Sequence, residues 1–145
     1  YAVTEAFWDN VLLFKGAYDQ ALDPVAQRWS LTRMELELLL FLANNPAHNT
    51  AAEAVRLRQW TKSHVSAAVH ALQNKGLLSA EHPEDNRKTL LLTPLPAAGD
   101  VIRAGQDAQR ALFQSMRRGF TPEEEQVLAS IAEKIARNIR DAMKK

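Results

Sequence analysis

Cysteine is absent from the 145-residue chain, which excludes disulfides, thiolate metal sites and thiol redox sensing. Glycine and proline are scarce, at five and six residues, too few for a disordered linker or a low-complexity segment. The glycines are also scattered, so they form neither a phosphate loop nor a dinucleotide-binding pattern. With no G-x-S-x-G elbow either, an enzyme is not expected. His48, His64, His70 and His82 lack the spacing of a metal site, so neither metal nor cofactor is expected. The longest apolar run, Leu38 to Ala43, falls far short of a membrane span, and no charged-then-apolar signal segment opens the chain. These absences read as a soluble, cytoplasmic protein without a membrane partner. One further absence is local: no acidic residue lies between Glu53 and Glu81, while Arg56, Arg58, Lys62 and Lys75 do. A chain of formal net charge +1 can thereby carry a basic surface that faces a polyanion.

What is present is a globular balance of 46% hydrophobic and 24% charged residues, enough for one core and too short a chain for two independent domains. Phe7, Val11, Phe14, Tyr18 and Ala21 recur at helical spacing from Glu5 to about Leu22, where Pro24 is expected to break or restart the helix. Thr32 and Glu35 form a capping box, with Leu31 and Leu36 as its hydrophobic staple, and open a second helix to about Asn44. Thr50 and Glu53 repeat the pattern for a short third helix ending near Arg58. After a tight turn at Trp60, Thr61 caps a fourth helix with Val65, Ala68, Val69 and Leu72 on its buried side, ended by Gly76. Leu77–Glu81 and Lys88–Thr93 then read as two strands around the turn Pro83-Glu84-Asp85-Asn86. A long helix starts at Pro94 or Pro96, with Val101, Ile102, Gly105, Ala108, Leu112, Phe113 and Met116 as its core face. Gly119 ends it, and Thr121-Pro122-Glu123-Glu124 opens a last helix striped by Leu128, Ile131, Ile135, Ile139 and Met143.

The order helix, tight turn, helix, glycine, strand, basic turn, strand is that of a helix-turn-helix with a wing. Opposite its buried stripe the fourth helix presents Ser63, His64, Ser66, Ala67, His70, Ala71 and Asn74, neither acidic nor bulky. Such a face suits the major groove, where Ser, Asn and His reach base edges and small residues allow close approach. An ordinary solvated face has the same composition. Arg87 and Lys88 at the hairpin tip are placed to reach an adjacent minor groove, though a basic turn is often only solvated. The aromatic residues Phe7, Trp8, Phe14, Tyr18 and Trp29 serve either core packing or a small-molecule pocket.

Leu31-Thr32, Thr50-x-x-Glu53, Thr61-x-Ser63-x-Val65-Ser66, Leu72-x-x-x-Gly76-Leu77-Leu78, Asp85-Asn86-Arg87 and Thr121-Pro122-Glu123-Glu124 together resemble the MarR family pattern across essentially the whole chain. The resemblance implies a mainly α, single-domain winged helix-turn-helix regulator that binds double-stranded DNA as a homodimer. Residues 30–96 would form the DNA-binding part, with 1–29 and 97–145 as dimerisation helices. DNA contacts would fall on Lys62, Ser63, His64, Ser66, Ala67 and His70, with Arg87 and Lys88 on the wing and Asp85 steadying it. Family members usually repress, and many release DNA when a small aromatic compound binds, here near Phe7, Trp8, Phe14, Tyr18 and Trp29. The chain departs from the pattern at Ala67 and Ala71, often arginine in the family, and at Gln59, commonly glycine. A winged helix that binds another protein instead of DNA is the alternative.

Overall fold

The computed structural model describes residues 2–144. Its elements run α1 (Ala2–Arg28), α2 (Arg33–Asn44), α3 (Ala51–Arg58), α4 (Lys62–Asn74), β1 (Leu78–Glu81), β2 (Leu91–Pro94), a 3-10 turn (Pro96–Ala98), α5 (Gly99–Met116) and α6 (Pro122–Met143). This is a mainly α winged-helix fold. The chain divides into two compact units, residues 1–112 and 113–145.

The first unit is built around α2, where Leu36 and Leu38 through Leu42 are all buried. A helix apolar nearly all round has to sit inside, with other elements covering its sides. Leu22 of α1, Val65 and Leu72 of α4, Leu92 of β2 and Val101 of α5 are the other large side chains fully buried around it. Thr32 accepts from the Glu35 backbone N–H while the Glu35 carboxylate accepts from Thr32, a complete capping box, a device worth about 1 kcal/mol. All four residues of the expected α4 stripe are buried. Beyond α4, Gly76 takes a φ of 74°, and the Leu77 N–H bonds back to the Leu72 carbonyl, so the helix ends in a left-handed cap that favours glycine.

Three sequence expectations are corrected. Pro24 neither breaks nor restarts α1, which runs through it. Pro24 and Gln20 are both exposed, so the Gln20 carbonyl that loses its usual N–H partner faces water instead of apolar core. The second wing strand begins at Leu91, not Lys88, because the chain before it is drawn toward α3. The Leu90 carbonyl accepts from Ala51 N–H, and Leu92 N–H donates to the Asn49 carbonyl, making Thr50 and Leu91 an isolated bridge. The helix expected from Pro94 or Pro96 opens as a 3-10 turn, and α5 starts at Gly99.

The second unit holds the last turn of α5 and all of α6. Thr121 and Glu124 form a second complete capping box, with proline in the first turn, and Gly119 at φ 83° allows the chain to reverse before it. Arg117 pairs with Glu125 at 3.0 Å. No residue of α6 is buried, and Leu128, Ile131 and Ile139 of its apolar stripe each remain 49% exposed.

Candidate nucleic-acid interface

The tight turn between α3 and α4 is built on Gln59, whose φ of 58° puts it in the left-handed region. That conformation costs a residue with a Cβ roughly 1–2 kcal/mol. The Gln59 side-chain amide donates to the Arg56 carbonyl at 3.0 Å, offsetting part of the cost and satisfying an end-of-helix acceptor. Trp60 then packs edge-on against Phe41 at 6.0 Å between ring centroids, fixing the turn to α2. Thr61 accepts from the His64 backbone N–H at 3.1 Å and starts α4 with no acidic residue in its first turn.

From this start, Lys62, Ser63, His64, Ser66, Ala67, His70 and Asn74 are all exposed, while Ala71 is half-buried. Ser63, Ser66, Ala67 and His70 line one open groove of ≈ 620 Å³ with Gln73 and Leu90. His64 is exposed but is not among its lining residues. A neighbouring cavity of ≈ 330 Å³ runs between α3 and the wing, with Ser66 and Leu90 again in its wall and Lys62 and Lys88 contributing the two cationic groups. The wing and the exposed face of α4 therefore share one concave surface, neutral at its floor and positively charged at its sides.

The tip of the wing is organised by Asn86. Its side-chain oxygen accepts from the Lys88 backbone N–H at 3.0 Å, closing an Asx turn in which Arg87 is the enclosed residue. Its amide nitrogen donates to the Thr89 hydroxyl at 2.7 Å, and its backbone N–H donates to the Pro83 carbonyl at 3.1 Å. His82 closes the opposite side, with Nδ1 2.8 Å from the Thr89 carbonyl oxygen. Arg87 and Lys88 are exposed, as is Asp85. Among the described residues Asp85 forms no ion pair with Arg87, and the bonds that hold the tip belong to Asn86. Sequence reasoning passed over Asn86, although an asparagine two residues before a turn N–H is the signature of this geometry.

Four basic residues lie in the acid-free stretch, but they differ in what they face. Arg56 and Lys62 are exposed. Arg58 lies over the Phe41 ring at 5.0 Å. Lys75 is exposed too, but its ammonium is taken by the protein itself, donating to Glu35 at 2.7 Å and to the Ser30 carbonyl at 2.9 Å. Burial acts to raise the Glu35 carboxyl, but the hydrogen bonds from Lys75 and Thr32 outweigh it and hold the group below its ordinary value.

Of the five aromatic residues considered for a small-molecule pocket, four lie on α1 and Trp29 directly follows it. Phe7 and Trp8 are 48% and 59% exposed, Phe14 stacks on Tyr18 at 5.5 Å, and Trp29 is covered by the Arg28 guanidinium at 4.4 Å. Of the five, Tyr18 alone lines the polar cavity of ≈ 70 Å³ bounded also by Glu37, Asn44, Arg58 and Gln109. There the Tyr18 hydroxyl donates to Glu37 at 3.0 Å and accepts from Gln109 at 2.9 Å. Burial pushes both the Tyr18 hydroxyl and the Glu37 carboxyl above their ordinary values. Among the described residues no group of three or more His, Asp or Glu side chains is placed to hold a metal ion, and no helix is long and apolar enough to cross a membrane.

The MarR family model matches residues 29–88, the segment that carries the capping box of α2, the helix-turn-helix and the wing tip. A MarR family regulator of Listeria monocytogenes, solved in complex with a 26mer DNA, superposes with a TM-score of 0.81 at 18% identity over 94% of this chain and 89% of that one. MepR of Staphylococcus aureus, solved as a DNA complex, gives 0.74 at 15% identity over 94% and 95%. The MarR protein of Staphylococcus aureus solved with salicylate and kanamycin gives 0.75 at 16% identity over 97% and 95%. No curated protein matches the chain in sequence.

Proposed function

Since the MarR family model matches residues 29–88, we propose that the chain is a MarR-type DNA-binding transcription regulator that reads duplex DNA through α4 and the wing. The observation that carries this reading is the open groove lined together by Ser63, Ser66, Ala67 and His70, with Lys62 and Lys88 lining the cavity that adjoins it at Ser66 and Leu90. Small hydroxyl and imidazole groups on a helix free of carboxylates can approach base edges, while the flanking ammonium groups neutralise phosphates. His64, exposed on the same helix, meets the backbone. Arg87, held outward by the Asx turn, is the minor-groove residue, since a planar, weakly hydrated guanidinium suits a narrow negative groove. The DNA complexes of the Listeria and Staphylococcus relatives support the same use of the fold.

The regulator acts as a homodimer that represses by occupying a pseudo-palindromic operator, its dimerisation helices drawn from residues 1–29 and 97–145. A small aromatic effector that releases DNA fits this scheme, as the salicylate complex of the Staphylococcus aureus relative suggests. The alternative, a winged helix that binds protein, draws on exposed Ala67, which supplies no charge to a phosphate. Selection of bound sites from a random duplex pool, followed by mobility shifts at several salt concentrations, decides between them. A DNA reader enriches a sequence and weakens as salt rises; Ser66→Ala and His70→Ala change the enriched sequence, whereas Lys62→Ala weakens all sequences alike. Absence of salt-dependent binding by the parent overturns the reading.

A further inference from the structure

Lys75 is placed like a DNA-binding lysine in the sequence, in a stretch with no acidic residue and just after the helix that faces the groove. Its geometry assigns it elsewhere. The Lys75 backbone N–H caps α4 by bonding to the Ala71 carbonyl, and the next residue, Gly76 at φ 74°, sends the chain into β1. The side chain meanwhile reaches back 45 residues to the Ser30 carbonyl and 40 residues to Glu35. Ser30, at φ 57°, lies in the turn that follows α1; Glu35 opens α2 and is, among the described residues, the one buried charged side chain. A single ammonium thus bonds the turn after α1 and the start of α2 to the joint between α4 and the wing.

We propose that Lys75 is a positioning residue for DNA recognition: its contacts to Glu35 and Ser30 set the direction in which α4 and the wing leave the α1–α2 corner, and its charge is not offered to phosphate. The proposal rests on the DNA-binding reading above. The Lys75 side chain stays 39% exposed, but two of its three ammonium donors are taken by Ser30 and Glu35, so neutralising it is expected to leave the counterion release on binding unchanged. It loosens the angle of the reading helix instead, which penalises a selected site, where several base contacts must be made together, more than an unrelated duplex, where phosphate contacts suffice.

The test uses the full chain with two duplexes of equal length, one selected by the parent from a random pool and one unrelated. Dissociation constants are measured at several salt concentrations, under conditions where a denaturation curve shows each variant folded. Lys75→Met is expected to bind the selected duplex about tenfold more weakly, the order of one charge-assisted bond, with little change on the unrelated duplex and the parent's salt slope. Glu35→Gln separates positioning from electrostatics: removing a negative charge strengthens attraction to DNA, yet disturbing the Lys75 anchor weakens selected binding. The double variant loses about as much as Lys75→Met alone, as two members of one contact do. Equal loss on both duplexes with a slope smaller by about one unit makes Lys75 a phosphate contact and overturns the proposal. So does parental affinity in both folded variants, which leaves the anchor a role in stability only. Failure of the parent to bind either duplex overturns the DNA-binding reading itself, and is seen before any variant is measured.

Discussion

At the scale of single residues the wing tip separates three neighbours that composition alone treats alike. Arg87 is exposed and enclosed by the turn that Asn86 makes to Lys88, so the turn presents it to solvent. Removing it in Arg87→Ala is expected to reduce DNA affinity by roughly 1–3 kcal/mol and the salt slope by about one unit, with unchanged thermal stability. Asn86→Ala loses the turn while keeping every charge, so affinity falls and the slope does not; Asn86→Asp keeps the acceptor for Lys88 N–H and is milder. Asp85→Ala, which breaks none of these bonds, is the mildest of the set. Binding isotherms at three salt concentrations check all four variants. An Asp85→Ala loss as large as that of Arg87→Ala removes the assignment of tip order to Asn86.

At the scale of elements the close approach of α5 to α2 is set by Gly105, which is buried. A Cβ at this position lies 2.8 Å from one methyl of Leu40 and 3.0 Å from the other. Leu40 is itself 1% exposed, so its methyls have no free space to turn into. Gly105→Ala is expected to destabilise the protein by about 1–3 kcal/mol, the usual cost of overpacking, despite alanine's better helix propensity. Chemical denaturation read through the Trp60 environment measures it, and a rise in midpoint would show that α5 moves away from α2 without cost. The sequence places Gly105 on the core face of a helix by periodicity. It does not show that a glycine is needed there, because that depends on which leucine of α2 meets it.

At the scale of the whole molecule, the exposed apolar side chains of the terminal helices are the largest unsettled term in a single chain. In α1, Leu12 and Leu13 are 63% and 69% exposed; in α6, Val127 is 56% and Met143 63% exposed. Apolar surface of this extent is withdrawn from water when another copy covers it, and a two-fold pair is the simplest closed arrangement. Sedimentation at micromolar concentration is expected to give twice the chain's mass. Ile131→Glu combined with Leu128→Glu is expected to shift it toward the monomer and to abolish selection of paired half-sites about 10 base pairs apart. A parent that sediments as a monomer sinks the dimeric reading.

Local signals were sufficient for most of the elements. Threonine with glutamate three residues on marks α2 and α6 because the cap bonds lie within four consecutive residues, and the α4 stripe follows from helical period alone. The exposed face of α4 is legible for the same reason: once Val65, Ala68, Val69 and Leu72 turn inward, Ser63, Ser66, Ala67 and His70 have only the outside left. What depended on residues distant in sequence was decided by the tertiary structure. Pro24 stays helical because its side of α1 faces water, and β2 is shortened because Asn49 and Ala51 take its first backbone partners. Lys75 shows the division most plainly, since its place among basic residues is written in the chain, whereas the Glu35 carboxylate that claims it comes from 40 residues away, a distance in sequence that only packing brings to 2.7 Å.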